Sequence, residues 1–334
     1  MEKQRAYDKL WPIPRGTVTV SGKVPTTKRI LTGLWGLDKA CSGADGSPGL
    51  PIRGGVEIYG RWETGKSTLA YYIGGRVSPK QDGRIVLVDL EGGARQDYLE
   101  TAVATSGFNG TIHRVSHGTE KSPRSHEEML KEGADSIQDD GTWCLILDSA
   151  AMTQPTPERE GDLDEAFMGK RAQVLAKFTR RWGPWINVAK QDKLVIIVNH
   201  MLQDMGGYGK SSPGGDTLKF GIHTRLWIRR KGDTFGKGAF EAEVTVEKLR
   251  FGGKDKERKG RAVIVPGVGV SPELTAAFDC MALKLARRQA GTGMVQYKEG
   301  EDWIDVDYLP NLVETVRDGK DGVFEPFYDI LRAQ

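Results

Sequence analysis

Val56-Glu57-Ile58-Tyr59-Gly60-Arg61-Trp62-Glu63-Thr64-Gly65-Lys66-Ser67-Thr68-Leu69-Ala70 passes from a short apolar run, through a loop bounded by glycines, into a helix-forming segment. Gly60-(x)4-Gly65-Lys66-Ser67 has the Walker A spacing, and strand, loop and helix stand in the order that this spacing requires. Each part has a physical task. The glycines let backbone N–H groups curl around phosphates, and the helix N-terminus adds a favourable dipole. Lys66 is placed to bridge the β- and γ-phosphates, and the Ser67 hydroxyl to ligate Mg²⁺. Residues Gly60, Arg61, Trp62, Glu63, Thr64, Gly65, Lys66, Ser67 and Thr68 are therefore expected to hold ATP, with Mg²⁺ as its cation.

Outward from this loop the same apolar character returns at Ile85–Asp89, Cys144–Asp148 and Leu194–Asn199. Continuous rather than alternating runs are what strands buried on both faces of a parallel sheet require. Helical patterns separate them, notably Ser67–Gly74 and Met168–Val188, where Val174, Leu175, Phe178 and Trp182 recur at helical spacing and belong to the core. After about residue 225 the pattern changes to strands at Arg225–Arg230, Glu241–Arg250 and Ala262–Val265, joined by Gly-rich turns that suit an antiparallel extension of the sheet. Pro272–Arg288 reads as helical, as do 308–317 and 323–332. The expectation is an α/β fold with a mostly parallel central sheet flanked by helices.

Composition narrows the class. The 334 residues are 38% hydrophobic and 28% charged, a soluble, globular balance with no membrane span. Residues 1–5 begin no apolar signal segment, and three scattered cysteines make neither a disulfide framework nor a zinc site, so a reducing, cytoplasmic setting is expected. The net charge of +3 hides an asymmetry. Residues 1–30 carry +5, and residues 225–262 hold twelve Lys or Arg against six acids, whereas 299–334 has ten acids against three bases. Separated signs of charge suggest a polyanion partner and an acidic tail able to compete with it; ordinary solvated surface is the plain alternative.

Two carboxylates complete the chemistry. Trp143-Cys144-Leu145-Ile146-Leu147-Asp148 is an apolar strand ending in Asp, a Walker B pattern that sets Asp148 beside the metal. Glu91 follows the strand Ile85–Asp89 at the end where open α/β sheets place their ligands, and is the candidate to activate water. A helix-capping role is the alternative for Glu91.

With these segments in order, the chain resembles the RecA recombinase family over roughly residues 30–268 and more loosely beyond. Ile30-Leu31-Thr32-Gly33-Leu34-Trp35-Gly36-Leu37-Asp38, Gly54–Gly60, Val88-Asp89-Leu90-Glu91-Gly92, Leu147-Asp148-Ser149-Ala150-Ala151, Phe167-Met168-Gly169 and Gly214-Gly215-Asp216-Thr217-Leu218-Lys219-Phe220 carry the likeness. The resemblance implies a RecA-like P-loop ATPase core over 30–268, an N-terminal oligomerisation segment over 1–29 and a small acidic α+β domain over 269–334. It also implies a DNA-dependent ATPase that forms helical filaments on single-stranded DNA and pairs it with homologous duplex DNA. Tyr98 takes the adenine-stacking position. DNA-binding loop 1 would be about 155–167 and loop 2 about 201–213. Met168 with Gly169, and Met205 with Gly206, match the family's wedge positions, and Gly214-Gly215 close loop 2. Arg225, Arg229, Arg230 and Lys231 would contact phosphates, although Arg225 fits equally well as a structural ion-pair partner. Lys248 and Arg250 match the pair that reaches a neighbour's γ-phosphate, the alternative being two same-face strand residues in solvent.

Departures mark a divergent member, of a kind a phage could encode, acting then in the cytoplasm of its bacterial host. Asn199 is followed by His200 where the family usually carries a glutamine sensor, and ring helicases of the wider superfamily use histidine there. Arg95 replaces an aspartate near the adenine, and loop 2 is shortened. Residues 1–29 lack the long bacterial helix, and Thr17–Val20 would add a strand to a neighbouring subunit. A ring-shaped RecA-core helicase and a regulatory paralogue remain the alternatives, the second opposed by intact Lys66, Ser67, Glu91 and Asp148.

Overall fold

The computed structural model describes residues 28–77, 83–160, 169–189, 192–203, 210–232, 238–252, 258–320 and 322–334. A nine-stranded sheet forms its centre. In chain order the strands are β1 (Gly55–Gly60), β2 (Arg84–Asp89), β3 (Thr111–Arg114), β4 (Thr142–Asp148), β5 (Leu194–His200), β6 (Ile222–Lys231), β7 (Phe240–Leu249), β8 (Arg258–Val265) and β9 (Gly269–Ser271). Their spatial order is β9-β8-β7-β6-β1-β5-β4-β2-β3. Every pairing from β6 through β1 to β3 is parallel, and every pairing from β6 out to β9 is antiparallel. The expected mostly parallel sheet is therefore present, and the antiparallel extension lies beyond the P-loop strand.

The apolar runs are continuous because each face of the sheet is covered. Ile85, Leu87, Cys144, Ile146, Ile196 and Val198 join one buried cluster with Leu69 and Ile73 of helix α1 (Lys66–Val77). Their neighbours in sequence, Val86, Val88, Leu145, Leu147, Val195 and Ile197, turn to the opposite cluster. Strand period two sends alternate residues to opposite faces, so both sets must be apolar. On the second face Val174, Leu175, Phe178 and Trp182 of α4 (Lys170–Val188) are buried, as their helical spacing requires. Further helices of seven residues or more are α2 (Gln96–Ala104), α3 (His126–Ser136), α5 (Gly215–Gly221), α6 (Pro272–Ala282), α7 (Leu309–Arg317) and α8 (Glu325–Arg332).

Three expectations need correction. The helix expected over Pro272–Arg288 ends at Ala282; Lys284 takes a left-handed φ of 61°, and Ala286–Arg288 becomes strand β10. β10 pairs with β11 (Met294–Glu299), which pairs with β12 (Asp302–Tyr308), in a separate three-stranded sheet. Residues 299–334 are not a free acidic tail: Leu309, Leu312, Val313, Phe324, Phe327 and Leu331 are buried in a third cluster with Val263, Val265 and Leu274. An acidic surface over an apolar floor looks like a tail by charge alone. Helix α4, expected from Met168, begins at Lys170, with Gly169 just outside it at a left-handed φ of 80°. Met168, Met205, Gly206 and the Thr17–Val20 segment lie outside the described residues.

Candidate active site

Strand β1 delivers the loop, and two glycines make its path possible. Gly65 has a φ of +87°, and a Cβ there would lie 2.0 Å from the Ile264 Cδ1. At Gly60 a Cβ would lie 2.3 Å from the Ile228 carbonyl oxygen of β6. At Gly60 a side chain would need the neighbouring strand's backbone to shift, whereas at Gly65 it is the left-handed φ that favours glycine. Thr64 Oγ1 and Lys66 Nζ both donate to the Arg61 carbonyl, at 2.9 and 2.7 Å, and so shape the loop around its own backbone. Glu63 takes a left-handed φ of 54°, and Trp62 stands 79% exposed at the rim.

Three of the five catalytic candidates, Lys66, Glu91 and His200, converge on this loop. Lys66, Ser67, Thr68, Glu91, Asp148 and His200 line one cleft of about 270 Å³ with Trp62, Glu63, Gly65 and Val198. A larger groove of about 560 Å³ lies between α3 and α4, but among the described residues no comparable group of carboxylate, lysine and hydroxyl meets there. Asp148, at the end of β4, accepts from the Tyr71 hydroxyl at 2.8 Å and from the Ser67 side chain. Burial raises its carboxyl to about 6, so this site gains most when a cation offsets the desolvated charge. Burial also lowers the Lys66 ammonium, with Asp148 and Glu91 opposing that effect. A buried lysine and carboxylate facing one cleft beside a helix N-terminus fit a phosphate-bound divalent cation.

Glu91 is held in position rather than left in solvent. Asp89 shapes its turn, accepting from the backbone of Gly92 at 2.9 Å and Ala94 at 3.1 Å while paired with Arg114 at 2.6 Å. The Glu91 Oε1 accepts from the Ser149 hydroxyl at 2.5 Å and lies 2.9 Å from His200 Nε2. Burial alone would raise its carboxyl; the Ser149 and His200 contacts reverse the sign and hold it below the ordinary glutamate range. It is thus a carboxylate at neutral pH, able to accept a proton. Tyr98 is half-buried beside the loop helix, its hydroxyl 2.5 Å from Thr68 Oγ1.

Lys248 and Arg250 are far from this cleft. Lys248 faces Arg225 across β6–β7, and Arg225 faces Glu57, three residues before Gly60. With about 3.3 Å per residue and about 4.8 Å per strand, Lys248 lies roughly 14 Å from Gly60. An extended lysine side chain spans only about 6 Å. Within its own subunit Lys248 donates to the Lys219 carbonyl at 2.6 Å, and Arg250 lies 3.2 Å from His223 Nε2.

The basic run on β6 is largely paired. Arg225 donates to Glu57 at 2.6 Å and stacks on Tyr59, the ion-pair alternative of the two open to it. Glu243 binds Arg229 at 2.6 Å and Lys231 at 3.1 Å, and Arg230 lies over Phe240. Gly214 and Gly215 take φ values of 122° and 68° where the chain enters α5. Sequence reasoning missed Tyr71 and Glu57. For Glu57 a signal exists: a lone carboxylate inside a fully buried strand demands partners.

Comparison with known proteins identifies a family. The family model described as the RecA N-terminal domain matches residues 15–254. The chain is 30% identical over 251 residues to Protein RecA of Azoarcus sp. (strain BH72), covering 73% of this chain and 67% of the relative. It is 30% identical to Protein RecA of Methylococcus capsulatus over 224 residues, covering 65% and 60% respectively. Against Protein RecA of Rhodospirillum rubrum it is 30% identical over 214 residues, covering 63% and 54%. The chain thus spans from just over half to two thirds of the length of these relatives.

Proposed function

The chain belongs to the RecA family, and from that premise we propose that it is a DNA-dependent ATPase that forms helical filaments on single-stranded DNA and exchanges strands with homologous duplex DNA. The observation that supports the proposal is a cleft with the groups of a phosphate site, set apart from the two cations that the resemblance assigns to a neighbour's γ-phosphate. Lys66, Ser67, Glu91 and Asp148 share a cleft, while Lys248 stands two strands and three residues from Gly60, with Arg250 following it, beyond reach of that cleft. A site whose cations can arrive only from another copy makes turnover depend on head-to-tail assembly, and such heterologous contacts propagate as helices when they do not close.

In this reading the loop backbone and Lys66 bind the phosphates of ATP. Ser67 and Asp148 hold Mg²⁺, which supplies charge neutralisation at the phosphates when bound. Glu91 orients and deprotonates the attacking water, and His200 positions Glu91 while lining the γ-phosphate end of the cleft. A neighbour's Lys248 and Arg250 stabilise the charge that develops on phosphoryl transfer. Loops 1 and 2, with Met168, Gly169, Met205 and Gly206, contact the single strand, and the core spans 30–268 with an acidic domain after it. No helix among the described residues is long and apolar enough to cross a membrane, and the cytoplasm is the proposed site of action.

A strand-exchange assay with ATP, a single strand and a homologous duplex tests the proposal, with filaments viewed by electron microscopy. Joint molecules on filaments are expected. Histidine at position 200, lining the cleft where ring helicases of the wider superfamily also use histidine, favours a second reading, a ring-shaped motor; closed hexamers that unwind DNA without pairing homologous strands would establish it and sink the first.

A further inference from the structure

Glu57 is fully buried in the strand that feeds the P-loop, and three donors from three other elements meet on its carboxylate. Oε1 accepts from Asn199 Nδ2 at 2.9 Å and from Ser212 Oγ at 2.6 Å. Oε2 accepts from Arg225 Nε at 2.6 Å, and Arg225 also donates to Ser212 Oγ at 3.2 Å. Asn199 in turn donates to the Pro213 carbonyl at 2.8 Å and accepts from the His200 backbone at 3.0 Å. His200 contacts Glu91. On the far side Arg225 is the cross-strand partner of Lys248. The two ends of the 201–213 segment are themselves zipped together, Leu202 opposite Ser211 and Gln203 opposite Lys210, so Ser212 leaves directly from that ladder.

The carboxylate therefore stands where four paths meet: the P-loop strand, the residue before His200, the exit of loop 2, and the strand beside Lys248. A buried charge is costly unless all of its bonds are made, and an apolar residue would fill the same strand position without that cost. Its three hydrogen bonds also leave little freedom for one arm to move alone. A shift of Ser212–Pro213 must be answered at Asn199, and so at His200 and Glu91.

We infer that Glu57 is a positioning residue that couples occupancy of loop 2 to the geometry of His200 and Glu91, so that DNA and nucleotide favour each other through this one buried carboxylate. The inference rests on the proposed ATP-dependent DNA binding. Coupling between two ligands is reciprocal, and its typical size corresponds to about 5- to 150-fold in affinity. Glu57→Gln keeps the volume but turns an amide N–H₂ toward at least one of the three donors, which breaks the four-way junction without opening a cavity.

The test measures the dissociation constant of a short fluorescent oligo(dT), by anisotropy, with and without a non-hydrolysable ATP analogue. It also measures analogue affinity with and without DNA. For the unsubstituted protein the analogue is expected to tighten DNA binding at least about tenfold, and DNA to tighten analogue binding by the same factor. In E57Q both ratios are expected to fall to within about twofold of unity, while analogue affinity without DNA changes less than about threefold. A purely structural defect would weaken both single-ligand affinities and leave the ratios in place; that result overturns the inference. Ser212→Ala removes the Ser212 bonds to Glu57 and from Arg225 while leaving the Glu57–Arg225 pair and the Asn199–Pro213 bond intact, so it guards against misfolding of E57Q. It too is expected to lower both ratios, and unchanged ratios in S212A also refute the coupling. Should the unsubstituted protein itself show ratios of one, the proposed function fails, a different outcome from loss confined to the variants.

Discussion

Mixing two inactive variants offers the sharpest test of a site built from two subunits. Removing Lys248 and Arg250 together by alanine substitution leaves the cleft around Lys66, Glu91 and Asp148 intact, because neither cation touches it within its own chain. Replacing Glu91 with Gln leaves Lys248 and Arg250 intact but removes the proton acceptor. Each variant alone is expected to lose about 10³-fold in DNA-stimulated turnover, the scale on which an inserted cation acts on phosphoryl transfer. In a random equimolar filament, half of the clefts retain Glu91, and half of those face a neighbour with intact cations. Turnover of the mixture is then expected to return to about a quarter of the unsubstituted rate per subunit, since each heterologous contact is made once per pair. The assay is phosphate release in the presence of single-stranded DNA, with electron microscopy confirming that both variants enter filaments. The roughly 14 Å between Lys248 and its own P-loop excludes direct action in cis. A mixture no faster than the mean of its two components, in filaments shown to be mixed, would refute the two-subunit site.

Other outcomes follow from particular contacts. The Glu91 carboxyl is depressed by Ser149 and His200, so the acid limb of kcat should lie below the ordinary glutamate range, activity being lost as pH falls through the folded-state value; in Ser149→Ala that limb should move to higher pH, as a pH–rate profile will report. Glu243→Gln removes the carboxylate paired with Arg229 and one of the two paired with Lys231, and single-stranded DNA should bind more tightly with a salt dependence steeper by about 0.7 per cation freed, read from affinity against log salt concentration. Lys193 is fully buried, its ammonium donating to the carbonyls of Ile137, Asp139 and Thr142. Lys193→Met should strand those acceptors and cost about 3 kcal/mol or more, seen as a lower urea midpoint at an unchanged slope.

Much of the site is legible in the amino-acid sequence alone. Gly60–Ser67 carries its own geometry, because backbone N–H groups, a lysine and a hydroxyl at fixed spacing are enough to cradle phosphate. The apolar runs 85–89, 144–148 and 194–199 specify strands covered on both faces, since nothing else buries consecutive branched residues in so short a stretch. Asp148 and Glu91 can be placed beside the loop because the C-terminal ends of such strands lie along one edge of the sheet, and both line its cleft. These are local or periodic properties, and periodicity survives in one dimension.

What depends on pairing across the sheet does not survive there. The acidic stretch 299–334 reads as a tail because its charge is on the surface, whereas Leu312, Phe324 and Phe327 find their partners only when β8 and α6 meet them. Arg229 and Lys231 read as phosphate contacts, and Arg225 stays open between that and an ion pair, because Glu57 and Glu243 approach them only through strand register. Short-range spacing is enough to specify the P-loop, the parallel core and the class of chemistry. Where the charges go is settled by packing in three dimensions: which cations are neutralised, that Glu91 is clamped by Ser149 and His200, and that Lys248 stands two strands and three residues from the loop it is proposed to serve in another subunit. Coulomb and hydrogen-bond partners are chosen by distance in space, and one-dimensional spacing does not encode that distance beyond a single element.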